Sequence, residues 1–127
     1  MPIINNDEAK EIPFREGYRV HVLAGAHHGI TCSVSISVIE PGAGAPLHVH
    51  SDVDEVTMVL EGTLDVQLGP NRSQVGPNHT LVIPGGVPHA FTAVGPARAR
   101  AMTFLPKLNV NASTTYLEGR PPDNVIG

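Results

Sequence analysis

The sequence predicts an all-β fold, a sandwich or barrel of about eight short strands, and three observations support that class. Glycine and proline number 13 and 12 of the 127 residues, about a fifth of the chain, where average usage is near ~12%. Proline removes a backbone donor and glycine is entropically costly inside a helix, so breakers at this density exclude a helical bundle. Apolar residues recur at period two. The clearest case is residues 31–39, T-C-S-V-S-I-S-V-I, where Cys32, Val34, Ile36 and Val38 alternate with small polar residues. Turn-forming pairs separate such runs at the even spacing of a sandwich or barrel.

Along the chain, the acidic start offers no helix longer than a stub, and a strand is expected at 18–24, followed by the strand at 31–39. The stretch 41–46, P-G-A-G-A-P, reads as a corner leading into a short segment at 47–51. Residues 55–60 and 63–68, joined by Glu61-Gly62, read as a hairpin, since Leu64, Val66 and Leu68 alternate with Thr63, Asp65 and Gln67. Gly69-Pro70-Asn71 turns the chain before a strand at 80–83, and the corner Pro84-Gly85-Gly86 precedes one at 87–94. Gly95-Pro96 introduces the last strand, 97–105, closed by Pro106. The polar tail, with Pro121-Pro122, is read as wrapping the surface or crossing to a partner subunit. With 41% hydrophobic residues the chain can fill one core. A single domain over 1–127 is expected, with core strands at roughly 18–106 and the segments 1–17 and 107–127 peripheral.

Composition also excludes partners. Eight basic against twelve acidic residues give a net charge of −4 with no basic run, so nucleic acid has no electrostatic footprint to bind. A single cysteine, Cys32, excludes an internal disulfide framework. No apolar run is long enough for a signal peptide or a membrane span. A soluble, cytoplasmic protein is expected.

The surplus is histidine, seven in all, four of them between residues 48 and 89. In the segment PGAGAPLHVHSDVDEVTMVLEG, His48 and His50 are two apart, so in a strand their rings project from one face. Glu55 follows across a polar link that lets the chain return its carboxylate to the same point, and the corner before His89 delivers a third imidazole. Three imidazoles and a carboxylate suit one divalent ion such as Fe, Mn, Co, Ni, Cu or Zn, with one or two coordination positions open. His21, His27, His28 and His79 read as bystanders. Thr57, Val59 and Phe91 share strand parity with the ligands and are expected to line a largely apolar substrate pocket. Arg98 and Arg100 alternate with Ala99 and Ala101 and are expected to face solvent.

Gly42, five residues, His48-Val49-His50, four residues, Glu55, six residues and Gly62 resemble the first motif of the cupin superfamily, and Pro84, Gly86 and His89 resemble the second. Asn78 and Ala93 stand where that second motif often has Gly and Asn. The resemblance implies a small single-domain jelly-roll β-barrel in which His48, His50, Glu55 and His89 point inward as metal ligands and Gly62 makes a hairpin turn. Asp54 neighbours Glu55, but the distance to Gly62 favours Glu55. The resemblance further implies a metal-dependent enzyme acting on a small-molecule substrate, either a dioxygenase or a non-oxidative cyclase, isomerase or decarboxylase. In both, Glu55 can double as a base. A non-catalytic binding protein is the remaining class, and a homodimer is the expected assembly.

Overall fold

The computed structural model describes residues 2–124. Its strands are β1 (Glu11–Arg15), β2 (Tyr18–Ala24), β3 (Ser33–Ile39), β4 (Gly44–His50), β5 (Glu55–Glu61), β6 (Thr63–Leu68), β7 (Asn71–Val75), β8 (Thr80–Ile83), β9 (His89–Val94), β10 (Ala99–Leu105) and β11 (Thr114–Tyr116). They form two antiparallel sheets facing each other, one ordered β1-β2-β3-β10-β5-β8 and the other β11-β4-β9-β6-β7. Three single-turn 3-10 segments are the helical content of the described residues. Between the sheets lies an aliphatic core in which Ile39, Leu64 and Ile83 are fully buried, each worth roughly 1.5–3 kcal/mol of transfer free energy. This is a jelly-roll barrel.

Both flanks add strands at the edges of the sheets. β1 pairs with β2 and β11 pairs with β4. A third strand absent from the sequence reading, β7, pairs with β6. All three end a sheet. Edge strands need little apolar patterning, and Pro13 in β1 and the exposed polar run of β7 conceal them. The stretch 41–46 is also only half a corner, because β4 begins at Gly44 and carries Pro46 within it.

The turn at Gly62 is not a hairpin. β5 pairs with β10 and β8 while β6 pairs with β7 and β9, so at Gly62 the chain crosses from one sheet to the other. A glycine serves either geometry, which is why the residue alone did not distinguish them. It adopts φ 78°, and a Cβ there would sit 2.4 Å from the Arg98 carbonyl oxygen. Asn78, standing where a glycine is common, has φ 68°, a left-handed conformation that asparagine tolerates better than most residues.

β3 is turned inside out relative to the usual rule. Its Ser33, Ser35 and Ser37 face the interior, so Val34, Ile36 and Val38 lie on the outer face of the six-stranded sheet. In register with them on β10 are Phe104, Met102 and Arg100. Beyond these lie Val56 and Met58 of β5, the latter 41% exposed, and Val82 of β8, 66% exposed. The outer face is therefore apolar at its centre. At its rim Arg98 and Arg100 pair with Glu61, as expected of outward arginines, and Arg19 pairs with Glu11 and Glu40.

Gly62→Ala combines left-handed strain with a backbone clash and is expected to cost roughly 2–5 kcal/mol. Gly42→Ala has φ 86° but open space around the new methyl group, so about 1–2 kcal/mol of strain is expected. Urea unfolding midpoints of the two variants should fall in that order at unchanged m-value; equal losses would remove the packing role assigned to Gly62.

Candidate metal centre

β4 is where the centre is built. Opposite β9 it holds Ala45 against Phe91 and then His48 against His89, so that Pro46 and Leu47 on one strand face Ala90 alone on the other. The extra residue is a bulge, and it reverses the parity of the strand. Ala45, His48 and His50 are all buried; without the bulge His48 and His50 would face away from the side that Ala45 occupies. Pro46 fits because a bulge leaves a backbone N–H without a ladder partner.

The link from β4 to β5 is fixed by the second corner. Gly86 N–H donates to the His50 carbonyl at 2.8 Å, and Gly85 N–H donates to the Asp54 carboxylate at 2.8 Å. Asp54 is thereby spent on the backbone, Val53 is buried beneath the link, and Glu55 alone turns inward. Its Oε1 lies 3.3 Å from His50 Nε2 and 3.9 Å from His89 Nε2. Its Oε2 accepts a hydrogen bond from Thr57 Oγ1 at 2.9 Å, and Thr57 in turn accepts one from Thr103 at 2.9 Å.

Backbone carbonyls orient two of the imidazoles. His48 Nδ1 lies 2.7 Å from the Pro46 carbonyl and His89 Nδ1 3.0 Å from that of Val87. Carbonyls only accept, so both rings carry their proton on Nδ1 and leave the Nε2 lone pair for a ligand. One ring nitrogen from each of His48, His50 and His89 lies within 4.8 Å of the other two, close enough to hold one metal ion. His89 Nε2 is fully buried and has no hydrogen-bond partner. A buried nitrogen with an unused lone pair, facing two more and a carboxylate oxygen, is a costly arrangement unless a cation completes it.

Electrostatics prepare the same set. Burial pushes the His48 pKa down to about 4, with His89 and His50 adding to the effect. Burial also lowers His89. For Glu55 burial acts upward, but its contacts with His50, His89 and the Thr57 hydroxyl outweigh it and hold the carboxyl below its usual range. At neutral pH the buried histidine triad can therefore hold a divalent metal.

Beside the triad is a cavity of about 110 Å³ that includes Glu55 in its wall. Phe91 is in its wall, whereas Thr57 and Val59 are not. Thr57 sits behind Glu55 as its hydrogen-bond donor, and Val59 belongs to the packed core. Its aromatic wall is Phe14, Tyr18, Phe91 and Tyr116, and its polar wall is Ser33, Ser35, Ser37 and Thr103. The lining is predominantly apolar, with these hydroxyls set into it. Burial raises the pKa of both tyrosines, so they are neutral hydroxyls here. A larger open groove of about 670 Å³ shares Val22, Ser33, Leu105 and Val110 with the cavity and contains none of the converging donors. His27 and His28 lie in that groove, His21 Nδ1 meets the Ala9 carbonyl, and His79 is exposed. Tyr116, stacked on His48 at 5.2 Å, and Thr114, 2.7 Å from His50, come from the polar tail, whose short strand has no spacing pattern that would place it here.

The chain is a two-sheet jelly-roll barrel with an inward cluster of three histidines, able to hold a metal, beside a small cavity. The cupin domain profile matches residues 35–105, and the chain belongs to the cupin family. It is similar to quercetin 2,3-dioxygenase of Bacillus subtilis (strain 168), 34% identical over 83 residues that make up 65% of this chain and 24% of that protein. It is also similar to polyketide synthase CurC of Streptomyces cyaneus, 28% identical over 101 residues, 80% of this chain and 64% of that one. The chain thus spans a quarter and under two thirds of these relatives. Among solved structures, the polyketide cyclase RemF from Streptomyces resistomycificus superposes with a TM-score of 0.78 at 19% identity, covering 94% of this chain and 87% of that one. KdgF from Halomonas sp. does so at 0.75 and 19%, covering 86% and 96%. These two likenesses establish the fold.

The lowered imidazole values predict a pH dependence. A histidine held at about 4 in the folded protein against 6.5 ordinarily binds its proton less readily than in the unfolded chain. Its contribution to stability is therefore present above about 6.5 and lost as pH falls toward 4. The melting temperature of chelator-treated protein should drop over that range, at up to ~1.4 kcal/mol per pH unit for each such imidazole. A flat profile would show that His48 and His89 are not held neutral by burial.

Proposed function

We propose that the chain is a metal-dependent enzyme, a dioxygenase acting on a small enolisable or aromatic substrate bound beside the histidine triad, with His48, His50, His89 and Glu55 as the ligand set. The observation that carries this reading is the convergence of three oriented imidazoles and Glu55 Oε1 at one wall of a cavity. Similarity to quercetin 2,3-dioxygenase supports the oxidative version. Fe, Mn, Ni or Cu bound there would supply electron exchange between substrate and O₂, whereas Zn or Co would supply Lewis acidity alone.

The chain's own residues have separable tasks. Phe14, Phe91 and Tyr116 give flat apolar surface to a ring, while Ser33, Ser35 and Ser37 offer hydroxyls to its oxygens. Glu55 is ionised, anchored through Oε2, and presents Oε1 toward the cavity, so it can take the proton of an enol or phenol. Thr57 and Thr103 hold it in place. A cavity of about 110 Å³ is smaller than the ~300–1,000 Å³ of most ligand pockets, so one ring or a short acyl arm enters and the remainder of a larger substrate stays outside.

Similarity to CurC over 101 residues favours a second reading, non-oxidative cyclisation, isomerisation or decarboxylation in which Glu55 shuttles the proton. Elemental analysis of protein from its native host, followed by oxygen-electrode traces with flavonols, diketones and catechols, separates the two. The dioxygenase reading expects stoichiometric metal and oxygen uptake. No uptake with Fe, Mn, Ni or Cu restored would leave the cyclase reading, and no turnover at all would make this a binding protein. His48→Ala and His89→Ala should each lose most bound metal; wild-type metal content in both would remove the ligand assignment.

We also infer that the protein is a homodimer paired through the outer face of the six-stranded sheet. That face has an apolar centre and a rim bearing both charge signs, so it complements a second copy of itself across a two-fold axis. Light scattering behind size exclusion should give a dimer, and Val82→Lys with Phe104→Lys a monomer that keeps its metal; a wild-type monomer sinks this assembly. The lone cysteine Cys32 is half-buried and unpaired, which suits a reducing compartment and a cytoplasmic location.

A further inference from the structure

One histidine of the triad meets a hydroxyl from a strand remote in sequence. Thr114 opens β11 directly opposite His50 in the β4 ladder. Its Oγ1 lies 2.8 Å from the Val110 carbonyl and 2.7 Å from His50 Nδ1. A hydroxyl has one proton, and the Val110 carbonyl can only accept it. Oγ1 therefore faces His50 with a lone pair, and Nδ1–H must be the donor. The Nε2 lone pair of His50 is then directed toward Glu55 Oε1, 3.3 Å away, and toward the other two imidazoles.

His48 and His89 obtain the same orientation from carbonyls two residues earlier in the chain, Pro46 within β4 and Val87 in the corner before β9. Those contacts form whenever the local backbone forms. His50 differs, because its acceptor is 64 residues distant in sequence. Other contacts seat the tail in the same register: Ser51 N–H donates to the Ser113 carbonyl at 3.0 Å, and the Tyr116 ring stacks on His48 with 23° between planes.

We propose that Thr114 is a positioning residue of the metal centre, fixing His50 in its Nδ1–H form and thereby setting how tightly the site holds its cation. The proposal rests on the reading of His48, His50 and His89 as ligands. Valine is nearly the shape of threonine and offers no acceptor, so Thr114→Val strands the buried Nδ1–H, while Thr114→Ser restores the oxygen.

The test is Zn²⁺ affinity of the full chain, measured by competition with a chromophoric chelator, together with thermal melts of the metal-free forms. Thr114→Val should bind Zn²⁺ ~10–100-fold more weakly, the usual effect of removing a ligand's outer partner, and Thr114→Ser should stay within about threefold of wild type. A merely structural threonine gives a different result: Thr114→Val lowers the metal-free melting temperature and leaves Zn²⁺ affinity unchanged, which overturns the proposal, as does a serine variant as weak as the valine one. A measurement on wild type needs no variant to fold. In the nitrogen NMR spectrum of the Zn²⁺-loaded protein, His50 Nδ1 should carry the proton and Nε2 the metal; an unprotonated Nδ1 refutes the assignment. If wild type takes up no Zn²⁺, the ligand reading falls and the Thr114 role with it. Unaltered Zn²⁺ binding in Thr114→Val removes Thr114 alone.

Discussion

One extra residue in β4 decides where this protein's chemistry can be. The bulge between Ala45 and His48 lets a strand that packs Ala45 into the core also present two imidazoles to the interior. It does a second thing at the same place. The carbonyl of Pro46, within the bulge, accepts the His48 Nδ1 proton, so the irregularity that aims the ring also selects which nitrogen is free. Bulges of this kind re-aim side chains at functional sites, and here the opposing β9 supplies His89 at the register position the bulge creates.

Concentrating three imidazoles and a carboxylate between two sheets opposes folding. Buried donors without partners are costly, and the centre's polar groups offset that cost unevenly. Glu55 is held by Thr57, which is held by Thr103, and the Nδ1 atoms of His48 and His89 rest on carbonyls. The orphaned His89 Nε2 is what this network leaves over. Local satisfaction everywhere but at the point of convergence separates a site prepared for a ligand from a packing defect.

The centre was legible in the sequence to the extent that it is local. His48 and His50 two apart, Glu55 after a polar link and His89 after a rigid corner can be read from spacing because each is placed by its own strand and turn. What spacing cannot reveal is the partner across the sheet. β11 is three residues in a polar tail, and only its pairing with β4 gives Thr114 and Tyr116 their place. Alternation in β3 identified which residues share a face but not which face turns inward, and the serines took the interior. Gly62 marked a reversal of direction in either geometry, and whether the reversal stays in one sheet depends on β9 and β10, remote in sequence.

The position of β11 at the end of the strand order has a consequence for biosynthesis. A nascent chain exposes His48, His50, Glu55 and His89 before residue 114 has been added, so the complete donor set precedes the strand that clamps His50. Closing that contact spans 64 residues, and long closures come late because their entropy must be overcome before the contact rewards it. Translation and loop entropy therefore act in the same direction, making the clamped His50 one of the last features of the barrel to mature.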